Sequence, residues 1–488
     1  MLKKTRIALA AIFLAGLTLL FVGIGHQWWG WMAKLQFLPS CLALNAGVIA
    51  GVLLLTLLFG RIYCSVICPM GVYQDVIIWL RRHFGLLLNR IGSHRLKRMK
   101  EKGKALPKFK SHLKHFNFSK EHKAVRYGVL ALMVVAIVAG VQVFVAALAP
   151  YSAYGRMVSA VVRPTAWTLV AVAAVTFVII TVCAWLWGRA YCNTICPVGT
   201  TLSLVSRFSL FRPVIDSSKC IKCGRCYHGC KASCIDGSTH SIDYTRCVDC
   251  FDCIGNCKEG AIRYRFVGLK GPDSKKNAGP EDSGRRAFIA TTAFLGAGLA
   301  AEAQNSLKLD GGLAEVIDKK NPERSERLVP FGAGSVKSFY DHCTACQLCV
   351  SACPNGVLRP STDLEHMLQP QMGYEKGYCR PECTECSQVC PAGAILPVKK
   401  DEKFTVHIGT ASVNLGLCLA ANGEASCGNC SRHCPVGAIR MVQDENGRNI
   451  PVVAEEQCIG CGACENLCPS RPVSAITVNG LSVHRKDN

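Results

Sequence analysis

Apolar runs of about 20 residues, the length a helix needs to cross a bilayer, alternate with polar connections through the first part of the chain. Four stand out: Ile7–Ile24, Leu42–Phe59, Tyr127–Leu148 and Trp167–Trp187. Their connections differ in charge. Lys3, Lys4 and Arg6 precede the first run. The segment from Arg81 through Lys123, between the second and third, is dense in Lys and Arg and opposes them only with Glu101 and Glu121. Basic loops stay on the cytoplasmic side of a membrane. The N-terminus and this segment therefore fall on one side, with two short loops on the other. A buried helical core would not alternate its charge in this way.

The apolar part also repeats itself. GRIYCSVICPMG (Gly60–Gly71) and GRAYCNTICPVG (Gly188–Gly199) agree at 8 of 12 positions, 128 residues apart. Each copy follows the second helix of a hairpin. An internal duplication is expected, its halves related by an axis along the membrane normal, with both CxxxCP motifs at cytoplasmic helix ends. Cys64 and Cys68, like Cys192 and Cys196, sit at i and i+4 and so share one helix face. Pro69 and Pro197 then end or kink that helix by withholding a backbone donor. If the symmetry brings the pairs together, four thiolates can hold a metal or exchange electrons as dithiols. The plainer reading makes them small buried residues at a tight helix end, as Cys41 and Cys183 are read to be packing residues.

Composition changes the picture in two ways. The 488 residues suffice for about three domains, and 31 of them are cysteine, mostly in tight, regular groups. Such grouping argues for metal–thiolate ligation over a disulfide framework. The net charge of +23 hides an asymmetry: residues 1–286 carry 38 Lys+Arg against 12 Asp+Glu, residues 287–488 carry 18 against 21. The basic half follows the loops of the apolar spans, and no aromatic–basic recognition motif accompanies it, so nucleic acid is not an expected partner.

Six cysteine groups carry the chemistry. Cys220, Cys223, Cys226 and Cys230 follow C-x2-C-x2-C-x3-C, as do Cys247, Cys250, Cys253 and Cys257. Three closely spaced thiolates can serve three irons of a cubane, and the fourth cysteine of such a run ligates the other cluster. Cys257 is thus expected to complete the first cluster and Cys230 the second. Zinc favours two separated ligand pairs. Neither fourth cysteine is followed by proline, and Cys234 is a spare. The second block holds four groups: Cys343, Cys346, Cys349 and Cys353; Cys379, Cys383, Cys386 and Cys390; Cys418, Cys427, Cys430 and Cys434; Cys458, Cys461, Cys464 and Cys468. All end in Cys-Pro, and the middle two open with insertions. Four more 4Fe–4S clusters follow, six in all, with nested pairing (first group with last, second with third) as the expected crossing. No C-x-x-C-H supports haem c. No dinucleotide fingerprint and no SGAT-like sequence supports a flavin or nicotinamide.

Between the blocks lies a polar linker, Gly271–Gly284, then Arg285-Arg286 before a mild apolar run, Ala287–Ala301. The pair resembles a twin-arginine export signal placed inside the chain. A domain that acquires clusters in the cytoplasm would have to cross already folded, which is what that route does. Ala301-Glu302-Ala303 is a candidate cleavage site, expected uncut, with the segment acting as a fifth span.

On these motifs, residues 1–265 resemble the NapH family of quinol dehydrogenase membrane subunits. Residues 283–475 resemble the NapG/MauM family of periplasmic polyferredoxins. The whole is thus similar to a fusion of the two. The expected fold is a four-span helical membrane domain (1–205), a cytoplasmic α+β two-cluster ferredoxin domain (206–270), a linker with a fifth membrane segment (271–304) and a periplasmic four-cluster ferredoxin domain (305–488). The resemblance implies a bacterial inner-membrane subunit that takes electrons from the quinone pool to a periplasmic reductase, such as nitrate reductase, or to a multihaem cytochrome. The MauN/MauM pair carries similar motifs. The copper reductases of oxidase assembly share CxxxCP, so the competing function is a maturation factor that reduces copper or thiols. Candidates for the quinol site are His26, Trp28, Trp29 and Lys34, or Tyr151 and Arg163, although Trp and Tyr at span ends also serve as interfacial anchors.

Overall fold

The computed structural model of the chain describes residues 2–101, 116, 118, 121–139, 142–162, 167–267, 308–310, 314–316, 318–363 and 365–487. The linker, Arg285-Arg286, the Ala301–Ala303 site, the expected fifth span and Arg163 lie outside the described residues.

The helical part is built twice. Its first half runs α1 (Leu2–Val22), α2 (His26–Lys34), α3 (Phe37–Leu42), α4 (Ala46–Phe59), α5 (Tyr63–Val66) and α6 (Pro69–Glu101). The second runs α7 (Lys123–Val138), α8 (Gln142–Leu148), α9 (Pro150–Val162), α10 (Trp167–Trp187), α11 (Ala190–Thr194) and α12 (Pro197–Ser206). Among the described residues, α1 and α10 are long and apolar enough to cross a membrane, and α4 is a shorter apolar helix. The second run therefore starts later than its hydropathy implied, because Asn45 accepts a hydrogen bond from Val48 N and caps α4 there. The third run is divided between α7 and α8.

The two outer connections are more than short loops. They fold into α2–α3 and α9, and nine residues of α9 are buried, among them Tyr151, Tyr154 and Arg156. Gly16 lets α2 approach α1 closely: a Cβ there would meet Met32 Sδ at 2.7 Å.

Each cysteine block is an α+β unit. The first is closed by strands Phe211–Ile215 and Ile262–Phe266, paired antiparallel. The second joins strand Val406–Val413 antiparallel to Ile476–Lys486, with smaller hairpins at Leu358–Pro360/Pro370–Met372 and Ile439–Gln443/Asn449–Val453. A buried Arg324–Glu465 ion pair (2.7 Å) ties its N-terminal lead to a cluster helix, and Glu465 also accepts from Val478 N at 2.7 Å.

The blocks cap opposite ends of the bundle. The first docks beside the start of α1 and the ends of α4 and α10. Lys3 pairs with Asp252 (2.8 Å), Leu210 N donates to Leu57 O (2.9 Å) and Arg189 N to Lys231 O (2.8 Å). The second docks where α1 finishes. Phe21 packs on Tyr151 with ring centroids 5.2 Å apart, a Cβ on Gly155 would fall 2.5 Å from Cys346 O, and the Ser159 and Ser351 hydroxyls are 3.3 Å apart. Leu348, Ala352 and Val389 of this block belong to the same apolar core as Leu17, Phe21 and Met32 of the bundle.

Asp75 on α6 holds the junction. It pairs with Arg6 of α1 (2.8 Å), Arg189 of the second half (2.8 Å) and Lys231 of the first block (2.9 Å). Burial pushes its carboxyl up, but Arg189, Lys231 and Arg6 together outweigh that and hold it below the usual carboxylate range. A carboxylate depressed on folding contributes stability that is complete above about pH 4 and lost as the pH falls through its folded value. Asp75→Asn strands three cations around a neutral amide. We expect it to cost about 3–5 kcal/mol, read as a lower denaturant midpoint at unchanged slope in detergent, and to flatten the acid limb of the stability curve.

Candidate iron–sulfur sites

The cluster loops share a backbone device. In four groups the residue before the second cysteine and the residue after it both have positive φ: Lys222 and Gly224, Asp249 and Phe251, Ala345 and Gln347, Gly460 and Gly462. Alternating handedness turns successive N–H groups toward one side, a concavity suited to an anionic thiolate–iron centre. Lys222, Asp249, Phe251, Ala345 and Gln347 adopt this region without being glycine, a conformation few side chains accept. The third cysteine then starts or enters a short helix such as Arg225–His228 or Leu348–Ala352.

In the first block, Cys220, Cys223 and Cys226 line one cavity with Cys257. Cys247, Cys250 and Cys253 line a second with Cys230. This is the crossed arrangement. The spare Cys234 lines that second cavity too, its Sγ 3.5 Å from Cys230 Sγ.

The second block corrects the nested pairing. Cys343, Cys346 and Cys349 lie within electrostatic reach of Cys390. Cys379, Cys383 and Cys386 line a cavity with Cys353. Cys418, Cys427 and Cys430 line another with Cys468, and Cys458 and Cys461 face Cys434. The first group exchanges with the second and the third with the fourth. The reason is local: helix Leu348–Ala352 packs on Glu385–Val389, and Asn429–Arg432 on Ala463–Leu467, so each fourth cysteine emerges beside its neighbour's loop.

The donor chemistry fits iron–sulfur clusters. Burial pushes the Cys250, Cys346 and Cys461 thiols up to about 12; bound iron supplies the positive charge that ionises such thiols. Among the described residues no three Cys, His, Asp or Glu side chains converge tightly enough for one metal ion. That is as true of the six groups as of any other cluster of side chains, because a cubane spreads its thiolates over separate irons. Lys403, 2 % exposed, donates to Cys379 Sγ at 3.2 Å and adds a charge-assisted bond beside that site.

The CxxxCP cysteines come together as well. Cys64, Cys68, Cys192 and Cys196 are all buried in one core, and each thiol lies within electrostatic reach of the other three. They do not sit at i and i+4 of one helix, however. Cys64 belongs to α5 and Cys192 to α11, whereas Cys68 and Cys196 directly precede α6 and α12. Pro69 and Pro197 open the next helix, where their missing N–H costs nothing.

The halves clasp each other crosswise. Arg61 Nη2 donates to Cys192 O at 3.1 Å, and Arg189 Nη1 donates to Cys64 O at 2.8 Å. Cβ atoms on Gly71 and Gly199 would fall 2.1 and 2.2 Å from those same carbonyls, so only glycine fits. Sequence reading missed Arg61, Arg189, Gln74 and Asp75. The signals were there: the repeat shares its arginine, and Asp75 is the only acidic residue among the first 100.

Trp28 and Lys34 are exposed, Trp29 packs against Gly16 and Gly25, and Tyr151 is buried beneath Phe21.

Comparison with known proteins settles the class. Residues 44–86 and 169–215 match a 4Fe-4S binding domain, and residues 342–394 and 425–471 match a 4Fe-4S dicluster domain. The chain is 30% identical over 182 residues to the ferredoxin-type protein NapF of Escherichia coli K12, covering 36% of this chain and 100% of the relative. The chain belongs to this ferredoxin-type 4Fe-4S family. It is also 34% identical over 161 residues to the methylamine utilization ferredoxin-type protein MauM of Methylophilus methylotrophus, covering 31% of this chain and 71% of that protein. To the ferredoxin-type protein NapH of Haemophilus influenzae it is 24% identical over 196 residues, 40% of this chain and 55% of that protein. Electron transfer through 4Fe–4S clusters is therefore its chemistry. The two dicluster matches divide the second block between the second and third cysteine groups, as the adjacent pairing does.

The pairing has a direct test. If Cys343 and Cys390 serve one cluster, Cys343→Ser, Cys390→Ser and the double variant each lose about four irons per chain, whereas Cys343→Ser with Cys468→Ser loses about eight. Nested pairing exchanges the two double-variant results. Iron analysis of the anaerobically purified protein reads the difference.

Proposed function

We propose that the chain is a membrane-bound electron-transfer subunit, a fusion of a NapH-type part with a NapG/MauM-type polyferredoxin, carrying electrons from quinol through six 4Fe–4S clusters to an acceptor on the far side. The acceptor class is a periplasmic reductase or its cytochrome, of the kind served in nitrate or methylamine metabolism. The 24 cysteines of the six groups are the proposed ligands.

One observation carries this reading: the two cluster blocks cap opposite ends of α1. Lys3 at its start meets Asp252 of one block, and Phe21 at its end lies against Gly155 beside Cys346 of the other. The 21 residues of α1 rise about 30 Å, the thickness of a bilayer's hydrocarbon core. The outer faces of the helices support the same reading, because Val175, Val178, Ile179, Val182 and Leu186 of α10 are exposed and apolar. The basic residues Lys3, Arg81 and Arg82 gather at the end of the first block, and by the positive-inside rule they support a cytoplasmic position for that end.

A menaquinol analogue added anaerobically to the purified chain tests the donor. Bleaching of the thiolate-to-iron absorption within the mixing time of a stopped-flow instrument is expected. Absence of bleaching, together with Cu(II) reduction that disappears in Cys64→Ser/Cys192→Ser, would instead establish the maturation-factor reading.

A further inference from the structure

Six cluster sites account for 24 of the 31 cysteines, and among the seven that remain are the four of the CxxxCP motifs, which lie between the two blocks. Their surroundings are built for charge. Arg61 and Arg189 are both fully buried. Arg189 is matched by Asp75. The side-chain hydrogen bonds of Arg61 go to Asn193 Oδ1 (2.9 Å), Thr245 O (3.1 Å), Cys192 O (3.1 Å) and Cys64 Sγ (3.9 Å), two carbonyls, an amide and a thiol. Asp249, buried and held by the Arg61 backbone N–H, is a nearby carboxylate, and a thiolate at Cys64 would add a second anion beside the guanidinium.

The thiols also face donors. Gln74 Nε2 lies 3.2 Å from Cys192 Sγ, and Gly199 N donates to Cys196 Sγ at 3.4 Å. Cys68 and Cys196 sit at the N-termini of α6 and α12, whose partial positive charge favours anionic sulfur.

We propose that Cys64, Cys68, Cys192 and Cys196 together ligate one further iron–sulfur cluster, shared between the two repeats. Two thiolates from each half make the four that such a cluster takes. Neither half can form the site alone, which explains why the crossed clasp of Arg61 and Arg189 is part of the repeated sequence. The residues matching a 4Fe-4S binding domain, 44–86 and 169–215, contain these four cysteines and none of the six groups.

The site also lies on the route that the proposed function needs, and its role as a relay rests on that reading. Toward the first block, Arg61 touches Thr245, two residues before Cys247, and Arg189 N bonds Lys231 O beside Cys230. Toward the second, Tyr63 and Tyr191 lie within electrostatic reach of the four thiols, and Tyr151 within reach of both Tyr63 and Cys346. Each passage takes one electron from a reduced neighbouring cluster and gives one to the next oxidised cluster, with no bond made or broken.

The test is iron and acid-labile sulfide per full-length chain, purified anaerobically in detergent. The wild type should hold about 28 irons rather than about 24, and Cys64→Ser/Cys192→Ser about four fewer than wild type. About 24 irons in the wild type, one zinc per chain, or iron and sulfide unchanged in the double variant would each overturn the site. None of these readouts involves quinol, so failure of the donor assignment would leave the result standing.

Discussion

The carboxylate of Asp75 joins three parts of the chain that lie far apart in sequence. Arg6 brings the first helix, Arg189 the second repeat and Lys231 the first cluster block, all to within 2.9 Å. Lys231 also reaches Asp252 (3.4 Å), which Lys3 holds from α1 (2.8 Å). A buried network of this kind stabilises only when complete, since removing one member leaves the others desolvated and unpaired. Its completeness fixes where α1, α6 and the second repeat meet, and that meeting point is where the four CxxxCP thiols converge.

From that junction the architecture follows in both directions. Below it, the left-handed turns at Gly60 and Gly188 end α4 and α10 and bring their tips against the first block, close to Asp249 and to Lys231 O respectively. Above it, α2–α3 and α9 form a floor on which the second block sits, and the close approach at Gly155 brings the Cys346 loop onto the bundle. The second cluster block thus belongs to the bundle's own packing. Leu348 and Val389 are as much part of the helical core as Leu17 is.

The cluster loops illustrate a different economy. A residue of positive φ before and after the second cysteine is unfavourable for most side chains, yet Ala345, Gln347 and Phe251 accept it. The loop is over-determined by the helices behind it, so the backbone can hold a conformation its residues would not choose alone. The same helices decide cluster sharing, because the fourth cysteine leaves each one at its C-terminal end.

Much of this was readable from the chain alone, for physical reasons. Cysteine spacing is local, and in four of the six groups three thiolates fall within seven residues, which suits a compact centre, so the groups and their candidate iron chemistry were legible. The duplication was legible too, as was the grouping of charge at one end of the helices, because both are properties of sequence order. What sequence could not supply was anything decided by residues far apart. Two equally spaced fourth cysteines do not say which neighbour they join; helix packing chose adjacent over nested pairs. The hydropathy of residues 127–148 did not reveal their division between α7 and α8, nor did that of residues 42–59 reveal the cap at Asn45. The arginines of the repeat looked like loop charges until folding crossed them between halves. Sequence determined which thiols are candidates to bind iron, and the tertiary structure decided which of them lie together, since sharing a site depends on distance in space and not along the chain.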